Sequence, residues 1–551
     1  MKTASLFAAL FSLSLLLFPA SLRAESAVKE SLVSNADFQK DAAGDGWPDD
    51  WNRGDEGVTW EPGDGKPFVR FTSAAPEKMV SLFREVPIPA GVRGVEVVIR
   101  YRSKGIKPGE KSWFDARTIF HFLDAERKEI VPAPGPMVFG SDVPDWKEAR
   151  RKILVPKNAA SLQIMPCLFQ VKAGTLDLAE VRVTALDDAE VDAIIAKAEA
   201  IKVRDAERAE ILAKELTWPA ITQELKVEGN QVKTADGKPV WLQGLSVDSM
   251  QWSQGDNVLW TIRVAIDEWK SNVIRLPVHD TFWFGKGKNQ PEGGEVAYRE
   301  LVDNAVKLAA TRGAWVVLDL HTFGAPTEAH VAFWKDAAVR YRNNPAVLFE
   351  LFNEAHGLTW EVWRNGGSLK EVKHNDVNPI ENTLKTEADF TPGMQALVKA
   401  ARDTGAKNII VAGGLDWAYD LSGVANGFAL DDLGGNGIIY VSHIYPWKSD
   451  WKDKVLVAAD KYPIIITEVG CPRKWEDFSF IPPKQRYPLE GWSEDMLGLI
   501  QKHKLHWTGF SFHPHCGPQV ILDWEYTPTP YWGVFVKEAL QGKQFEMKAM
   551  R

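Results

Sequence analysis

The sequence predicts a multidomain protein in which an all-β sandwich precedes an α/β unit, a (β/α)8 barrel, with a helical linker between them. Two patterns predict this fold. Short alternating segments separated by Gly, Pro and Asp turns fill the first third of the chain, and eight apolar strand-like runs recur at regular distance after it. The length of 551 residues makes a single compact unit unlikely, because chains beyond about 250 to 300 residues split into domains.

The first 24 residues have the pattern of a secretory signal peptide, with Lys2, an apolar run from Ala4 to Ala20 and the small residue Ala24. We expect cleavage after Ala24 and a secreted or periplasmic mature chain. The alternative is an uncleaved anchor, for which the apolar run is at the short limit. No later segment reads as a membrane span, and a net charge of −9 argues against nucleic acid as a partner.

Residues 25–186 contain segments such as VEVVIRYRS and RTIFHFL, whose period of two predicts an antiparallel β-sandwich. Residues 187–216 are rich in Ala, Glu, Lys and Ile at helical spacing without Gly or Pro, which predicts a helical linker. Three cysteines permit at most one disulfide, and Cys471 and Cys516 follow neighbouring strands of the predicted barrel, so a bridge between them is possible.

Residues 217–551 begin with a predicted hairpin near residue 224, and the strand-like runs follow it. Amphipathic stretches lie between the runs; one opens at Thr391-Pro392, read as an N-cap with proline at the first helical position, and closes at Gly405. The polar stretch from His356 to Phe390 is predicted to be a loop insertion. The eight runs start at Val240, Asn272, Ala314, Val347, Asn408, Ile438, Pro463 and His506.

Strands that are apolar on both faces and alternate with helices favour a closed parallel barrel. An open doubly wound sheet is the alternative, but it would need a glycine-rich phosphate turn after the first strand, and GLSVDSM does not supply one.

Polar residues concentrate where the predicted barrel strands end. A polar group in an apolar strand costs stability unless it is paired, so a whole rim of them indicates a functional site. For any one of these residues, a hydrogen-bonded structural role would be the better interpretation. The set comprises Arg275, His279, Asp280, His321, Asn353, Glu354, His443, Tyr445, Glu468 and His513.

Glu354 and Glu468 end strands on roughly opposite sides of the predicted barrel mouth. Cleavage of a glycosidic bond needs such a pair, one carboxylic acid to protonate the leaving oxygen and one carboxylate to attack the anomeric carbon or activate water. Arg275 and Tyr445 can donate to a carboxylate and keep it ionised, whereas Glu354 has no cation beside it in sequence. This predicts Glu468 as the nucleophile and Glu354 as the acid/base.

The set VIRLPV, DLH, LFELFNEAHG, HIYPW and IIITEVG, over about residues 224 to 540, resembles glycoside hydrolase family 5, the cellulase family. The resemblance implies Glu354 as acid/base, Glu468 as nucleophile and contact of Asn353 with the sugar 2-hydroxyl. It further implies that Arg275 and Tyr445 hold Glu468, and that His321 and His443 line the same subsite. The family usually places a tryptophan at the end of the eighth strand; here Phe510 stands there, or Trp524 reaches in from the loop.

The sequence has 23 tryptophans, nine of them in loops assigned to the catalytic face. An indole stacks on the apolar face of a pyranose, so these are candidate sugar platforms, with about half expected to be packing anchors. Trp417 and Trp447 are the strongest candidates because each lies a few residues beyond a strand end. The nine are Trp252, Trp283, Trp360, Trp363, Trp417, Trp447, Trp451, Trp475 and Trp524.

The start of the sandwich, LVSNADFQKDAAGDGWPDDWN, resembles jelly-roll carbohydrate-binding modules attached to such hydrolases. Trp60, Trp113 and Phe114 fit a sugar-binding face or the core equally well. The acidic stretch from Asp41 to Asp50 has some character of a calcium loop, but a solvated turn is the favoured interpretation.

Together these observations predict a secreted retaining β-glycosidase that cuts β-1,4-glucan internally, with its carboxylates about 5 Å apart. No cofactor is expected, and no metal site is expected because HExxH is absent and no second cluster completes a site with His513-Pro514-His515-Cys516. The absence of GxSxG argues against a serine hydrolase, and a monomer is expected. The alternatives are the same chemistry on mannan, xyloglucan, mixed-linkage or β-1,3-glucan, and a non-catalytic polysaccharide-binding protein.

Overall fold

The computed structural model describes residues 30–551 except 64, 74, 112, 141, 252–254, 288, 289, 291, 370–388 and 479. The predicted signal peptide, Trp252 and most of the predicted loop insertion therefore lie outside the described residues. The chain divides into two compact units, Met1–Arg204 and Asp205–Arg551.

The N-terminal unit contains two antiparallel sheets. One has the strand order β1-β2-β11-β5-β9; the other has the order β3-β10-β6-β7, with β4 pairing with β10 and β8 with β6. The strands are Val58–Glu61 (β1), Phe68–Thr72 (β2), Val80–Ser81 (β3), Arg84–Pro87 (β4), Gly94–Lys107 (β5), Ala116–Leu123 (β6), Glu129–Ile130 (β7), Met137–Val138 (β8), Val143–Leu154 (β9), Ser161–Leu168 (β10) and Ala173–Ala185 (β11).

The two sheets share one hydrophobic core. Alternate residues of β5, such as Val97 and Ile99, belong to the same buried cluster as Phe120 and Phe122 of β6. This period of two follows from the strand geometry, which points successive side chains to opposite faces. The predicted all-β region before the barrel is confirmed.

A single 28-residue helix, Asp188–Glu215 (α1), occupies the predicted linker, and the boundary between the two units falls inside it. Asp188 and Glu190 lie in its first turn and Lys214 in its last. Each of these charges interacts favourably with the nearby end of the helix dipole. Within the second unit, the buried carboxylate of Glu215 accepts hydrogen bonds from Arg263 and Arg312.

The second unit begins with the predicted hairpin, Leu225–Glu228 (β12) and Gln231–Thr234 (β13), and continues as a closed eight-stranded barrel. Each predicted run contains one barrel strand, and all neighbouring pairs are parallel. Pairing of the first strand with the last closes the barrel and excludes an open sheet. The strands are Gln243–Ser246 (β14), Val273–Val278 (β15), Trp315–Leu320 (β16), Val347–Glu350 (β18), Ile410–Gly413 (β22), Ile438–Ile444 (β23), Ile464–Val469 (β24) and His506–Gly509 (β25).

Two short strand pairs lie outside the barrel sheet. Phe323–Gly324 (β17) pairs in parallel with Glu354–Ala355 (β19), and Gly367–Ser368 (β20) pairs antiparallel with Phe390–Thr391 (β21). The helices of this unit are Val258–Asp267 (α2), Asp280–Trp283 (α3), Gly294–Ala310 (α4), Glu328–Tyr341 (α5), Trp360–Asn365 (α6), Met394–Arg402 (α7), Trp451–Lys454 (α8), Trp492–His503 (α9) and Gly533–Leu540 (α10). None of the described helices is long and apolar enough to cross a membrane.

One predicted helix start is wrong. Helix α7 begins at Met394 with Gly393 as its N-cap, whereas Thr391 was expected to cap it. Thr391 instead pairs with Gly367 in the β20–β21 ladder, and its hydroxyl donates to the carbonyl of Pro326 at 2.7 Å. The same hydroxyl still accepts a 3.2 Å hydrogen bond from the amide of Gly393, so Thr391 keeps a capping-type contact although the helix begins at Met394.

The barrel core uses tryptophan heavily. Several of the loop tryptophans expected near the catalytic face are fully buried packing residues instead: Trp283, Trp363 and Trp451. Trp360 packs against the same core and edge-on against Trp363 at 5.1 Å. Burial excludes a platform role for Trp283, Trp363 and Trp451, which fits the expectation that about half of the loop tryptophans are packing anchors, whereas Trp360 is only partly buried.

We expect Trp334→Ala to lower the stability of the barrel by about 3 to 5 kcal/mol, because it removes a fully buried indole and its 2.8 Å hydrogen bond to the carbonyl of Leu351. Differential scanning calorimetry would show this as a lower unfolding temperature. Trp218→Ala, at a 42% exposed residue of the same unit whose ring meets the Arg312 guanidinium at 5.7 Å, is the matched control and should shift stability by less than about 1 kcal/mol. Equal effects of the two substitutions would contradict the assignment of Trp334 to the core.

Candidate active site

A cleft of about 880 Å³ lies at the carboxyl ends of the barrel strands. Its position follows from the fold, since the strands of a (β/α)8 barrel present their C-terminal residues and the loops after them at one face. The sequence-predicted residues that line it are His279, His321, Glu354, Trp417, His443, Tyr445, Trp447, Glu468 and Phe510.

Arg275 of β15 lies beneath the cleft with no exposed surface and binds three carboxylates. Its Nε donates to Glu350 at 2.7 Å, its Nη1 to Glu468 at 2.8 Å, and its Nη2 lies 2.9 Å from Asp319. Nη2 also donates to the amide oxygen of Asn353 at 2.6 Å. A planar guanidinium suits this arrangement, because its donors point outward in a fixed fork.

Glu468, near the end of β24, is held from three sides. Besides the bond from Arg275, its Oε2 accepts a 2.5 Å hydrogen bond from the hydroxyl of Tyr445 and lies 3.6 Å from Nδ1 of His443. Burial alone would raise the pKa of this carboxyl, but the charges of His443 and Arg275 outweigh it and hold the pKa at about 2. Glu468 is therefore an ionised carboxylate over the physiological pH range.

Glu354 has the opposite electrostatic environment. Burial and the nearby negative charge of Glu468 raise its pKa, although His443 Nδ1 lies 2.9 Å from its Oε1 and acts against that shift. Burial would lower the pKa of His443, but the charge of Glu468, the carboxylate of Glu350 3.9 Å away and the hydrogen bond to Glu354 raise it to about 9. The family resemblance implies that His443 lines this subsite, but its contact with Glu354, 89 residues away in the chain, is visible only in the structure.

Glu354, His443 and Glu468 each place one ligand-type atom within 4.8 Å of the other two. A carboxyl separation near 5 Å is the spacing associated with double displacement in glycosidases. The three groups could also be considered for a metal ion. With a pKa of about 9, however, the His443 ring is protonated and offers N–H donors instead of a lone pair, so the donor set does not favour a cation.

Asn353 and His321 complete the arrangement. The side-chain oxygen of the fully buried Asn353 accepts a hydrogen bond from Arg275. The side-chain nitrogen of Asn353 has no hydrogen-bond partner among the described residues. His321 lines the cleft and its Nδ1 lies 2.7 Å from Asp319; this contact overcomes burial and raises the pKa of the ring.

Sequence reasoning missed three buried groups below the cleft: Asp319, Glu350 and Thr467. Glu350 binds Arg275, and the hydroxyl of Thr467 donates to Glu350 at 2.8 Å and lies 3.0 Å from Nε2 of His443. A signal was present, since a carboxylate inside a strand that is otherwise apolar requires a buried partner. Glu350 does not stand out as the end of its predicted strand, because the Asn353-Glu354 pair follows it within the same apolar run.

Two tryptophans that line the cleft each stack on one neighbouring ring. Trp417 stacks on His356 with ring centroids 3.5 Å apart, and its own ring lines the cleft. Trp447 stacks on Tyr445 at 4.6 Å with nearly parallel planes, so one of its faces is already covered. Further aromatic lining residues that the sequence did not single out are Phe323, Tyr419, Phe478, Phe480 and Tyr487.

At the eighth strand, Phe510 lines the cleft and meets Tyr445 edge-on at 6.3 Å. Trp524 is not among the residues that line the described cleft; it packs against the barrel core and edge-on against His513 at 4.8 Å. The suggestion that Trp524 reaches into the site is therefore wrong. Cys471 and Cys516 are both free thiols, so the possible bridge between their loops is not formed.

A closed (β/α)8 barrel with two carboxyl groups facing each other at its C-terminal face is an architecture of glycoside hydrolases. The comparison with known families agrees. Residues 234–515, slightly more than half of the chain, match the family model "Cellulase (glycosyl hydrolase family 5)". The chain belongs to glycosyl hydrolase family 5.

Curated relatives are distant. Endoglucanase A of Butyrivibrio fibrisolvens is 28% identical over 257 residues, which are 45% of this chain and 52% of that protein. Endoglucanase E-5 of Thermobifida fusca is 22% identical over 305 residues, 52% of this chain and 55% of that protein. This chain thus spans about half the length of these relatives. Among solved structures, a beta-glucanase from Saccharophagus degradans aligns with a TM-score of 0.46 and 23% identity, covering 58% of this chain and 94% of that one.

We expect the His443 imidazole to titrate near pH 9 in the folded protein, against about 6.5 in the unfolded chain. Because the folded pKa is the higher one, the ring stabilises the fold fully below pH about 6.5 and loses this contribution as the pH rises through about 9. NMR of the imidazole nitrogens would measure the titration, with His443→Asn assigning the signal. His356, whose pKa burial lowers to about 4, is an internal control. Titration of His443 at or below 6.5 would contradict the expectation.

Proposed function

We propose that this chain is an exported endo-acting β-1,4-glucan hydrolase that works by double displacement with retention of configuration. The observation that carries the proposal is the pair Glu354 and Glu468, with carboxyl oxygens within 4.8 Å and pKa values shifted in opposite directions. One group is suited to give a proton and the other to attack, which is the division of roles that retention requires.

In the first step Glu354 protonates the glycosidic oxygen while the carboxylate of Glu468 attacks the anomeric carbon. The bond to the leaving sugar breaks, and a glycosyl ester forms on Glu468. The guanidinium of Arg275 and the hydroxyl of Tyr445 keep Glu468 ionised and aimed before the attack. The free amide N–H of Asn353 is available to the 2-hydroxyl of the bound sugar.

In the second step Glu354 takes a proton from water, the water oxygen attacks the anomeric carbon, and the ester bond to Glu468 breaks. The switch of Glu354 from acid to base follows from electrostatics. The negative charge of Glu468 raises the pKa of Glu354, and esterification removes that charge. The loss of activity at low pH should therefore report the pKa of Glu468, and the loss of activity at high pH should report the pKa of Glu354.

The substrate proposal rests on family membership and on the cleft walls. The curated relatives that match are named endoglucanases. Trp417 and the exposed ring of Phe323 form an aromatic cluster on one part of the cleft, with centroids 6.2 Å apart, which suits the apolar faces of pyranose rings. Hydrolysis of a panel of cellulose, mannan, xylan, xyloglucan and β-1,3-glucan would test this choice; activity confined to another glycan would overturn the β-1,4-glucan assignment.

For the rest of the chain, we propose a signal peptide over residues 1–24, a sandwich over 25–186 that binds carbohydrate, a helical linker over 187–216 and a catalytic unit over 217–551, acting as a monomer. The signal-peptide pattern supports export. The two-sheet fold of the N-terminal unit is compatible with a module that holds the enzyme on its polymer.

Replacing Glu468 by Ala should lower kcat on a soluble β-1,4-glucan by at least about 10⁴-fold, because no covalent intermediate can form. Sodium azide should partly restore cleavage of an aryl glycoside by occupying the vacated space and should yield the α-glycosyl azide. Glu354→Ala is the matched variant: it should lose about 10²- to 10⁴-fold on glucan and yield the β-glycosyl azide. Product analysis by NMR distinguishes the two, and an unchanged rate in Glu468→Ala would refute the mechanism.

Trp447→Ala should move the acid limb of kcat/KM to higher pH by somewhat less than one unit. Loss of the stacked ring frees Tyr445 and weakens its hydrogen bond to Glu468 by about 1 kcal/mol. Trp447→Phe retains a ring and should retain the profile. A rise in KM with an unmoved acid limb would show instead that Trp447 serves only as a sugar platform.

A further inference from the structure

The N-terminal unit has five tryptophans, and they differ in how their rings are covered. Trp47 and Trp51 are buried, and each donates its indole N–H to a backbone carbonyl. Trp60 packs against the sandwich core and donates to the carbonyl of Phe38. These three are structural residues of the fold.

Trp146 lies on the five-stranded sheet, but guanidinium groups cover it. The centre of the Arg102 guanidinium is 4.6 Å from its ring centroid and that of Arg100 is 5.6 Å away, while Phe68 meets it edge-on at 5.7 Å. Arg102 is in turn fixed by a 2.7 Å ion pair with Asp177. A sugar could stack on Trp146 only after displacing these cations.

Trp113 is different, since 45% of its surface is exposed in the loop between β5 and β6. The ring centroid of Trp113 lies 6.1 Å from that of Phe114, and the centroid of Phe114 lies 5.5 Å from that of Phe169. The Lys111 ammonium lies over this indole, 5.3 Å from its centroid, but no ion pair among the described residues holds Lys111 there as Asp177 holds Arg102 over Trp146. An indole that remains this exposed beside two further rings forms an open apolar surface at one end of the sandwich.

Backbone hydrogen bonds join the described residues on both sides of Trp113. The amide of Gly109 donates to the carbonyl of Phe114 at 2.9 Å, and the amide of Phe114 donates to the carbonyl of Lys111 at 2.9 Å. The amide of Phe169, in the neighbouring β10–β11 loop, donates to the carbonyl of Asp115 at 2.8 Å. A ring held on a fixed backbone loses little conformational entropy when a ligand stacks on it.

Polar groups suited to hydroxyls border the same surface. The carboxylate of Asp115 takes a bidentate ion pair from Arg117, with Nε at 2.5 Å and Nη2 at 2.9 Å, and the Arg117 guanidinium lies 5.6 Å from the Phe169 centroid. Because Asp115 neutralises Arg117, these two residues favour a neutral ligand over an anionic one. Both side chains are only partly exposed, 12% for Arg117 and 18% for Asp115, and Nη1 of Arg117 is not used by the bidentate pair, so it is the donor we assign to a sugar hydroxyl at the edge of the ring surface.

We propose that Trp113, together with Asp115 and Arg117, is a binding platform for the pyranose rings of a neutral β-1,4-glucan. The proposal rests on the hydrolase function proposed above, because it takes the same polymer as its ligand. It assigns the sugar contact of the N-terminal unit to the β5–β6 loop and excludes the arginine-covered face around Trp146.

The test uses the full chain and binding to microcrystalline cellulose, measured by depletion from solution at low temperature over a short contact time. Trp113→Ala should raise the dissociation constant about tenfold, the loss of one stacked ring. Trp113→Tyr should bind nearly as the original chain does, and Trp146→Ala is the matched control that should leave binding unchanged. All three variants should hydrolyse short soluble cello-oligosaccharides at the original rate.

Circular dichroism checks that all three variants fold. Unchanged binding by Trp113→Ala, an equal loss in Trp146→Ala, or no retention of the original chain on cellulose would each overturn the platform. Hydrolysis without a Trp113 effect would refute the platform alone. Trp113-dependent binding without hydrolysis of any glycan would refute the proposed activity and support the platform.

Discussion

The buried guanidinium of Arg275 is the interaction on which the candidate site depends. It binds Asp319 of β16, Glu350 of β18 and Glu468 of β24, so one side chain links four strands of the barrel. A cation without exposed surface is costly to desolvate, and three carboxylates without it would repel one another. The position of Glu468 is therefore set by the same contacts that make the charged centre of the barrel tolerable.

The second consequence of this network is the difference between the two glutamates. Both are buried, and burial alone would raise the pKa of each carboxyl. Arg275 and protonated His443 stabilise the charge on Glu468, and that charge then disfavours ionisation of Glu354. The two cations together thereby separate the protonation states of two chemically identical groups, the condition for an acid and a nucleophile to coexist at one pH.

Tryptophan serves several physical purposes in this chain. Trp334 fills the barrel core, Trp447 supports Tyr445 by stacking, and Trp417 presents its ring to the cleft. On the N-terminal unit, guanidinium groups cover Trp146 whereas Trp113 is exposed. Composition alone cannot separate these uses, because an indole has the same hydrophobicity whether protein, cation or sugar covers it.

The sequence by itself determined the barrel, the linker helix and the sandwich, because hydrophobic periodicity reports local structure directly. It also brought Glu354, Glu468, Arg275 and Tyr445 to one rim through the rule that barrel strands expose their C-terminal ends. Only the tertiary structure decided the partners of these groups. The contact of His443 with Glu354 and the burial of Trp283 and Trp363 join or cover residues far apart in the chain. Such contacts depend on how strands and loops meet in space, which no local pattern encodes.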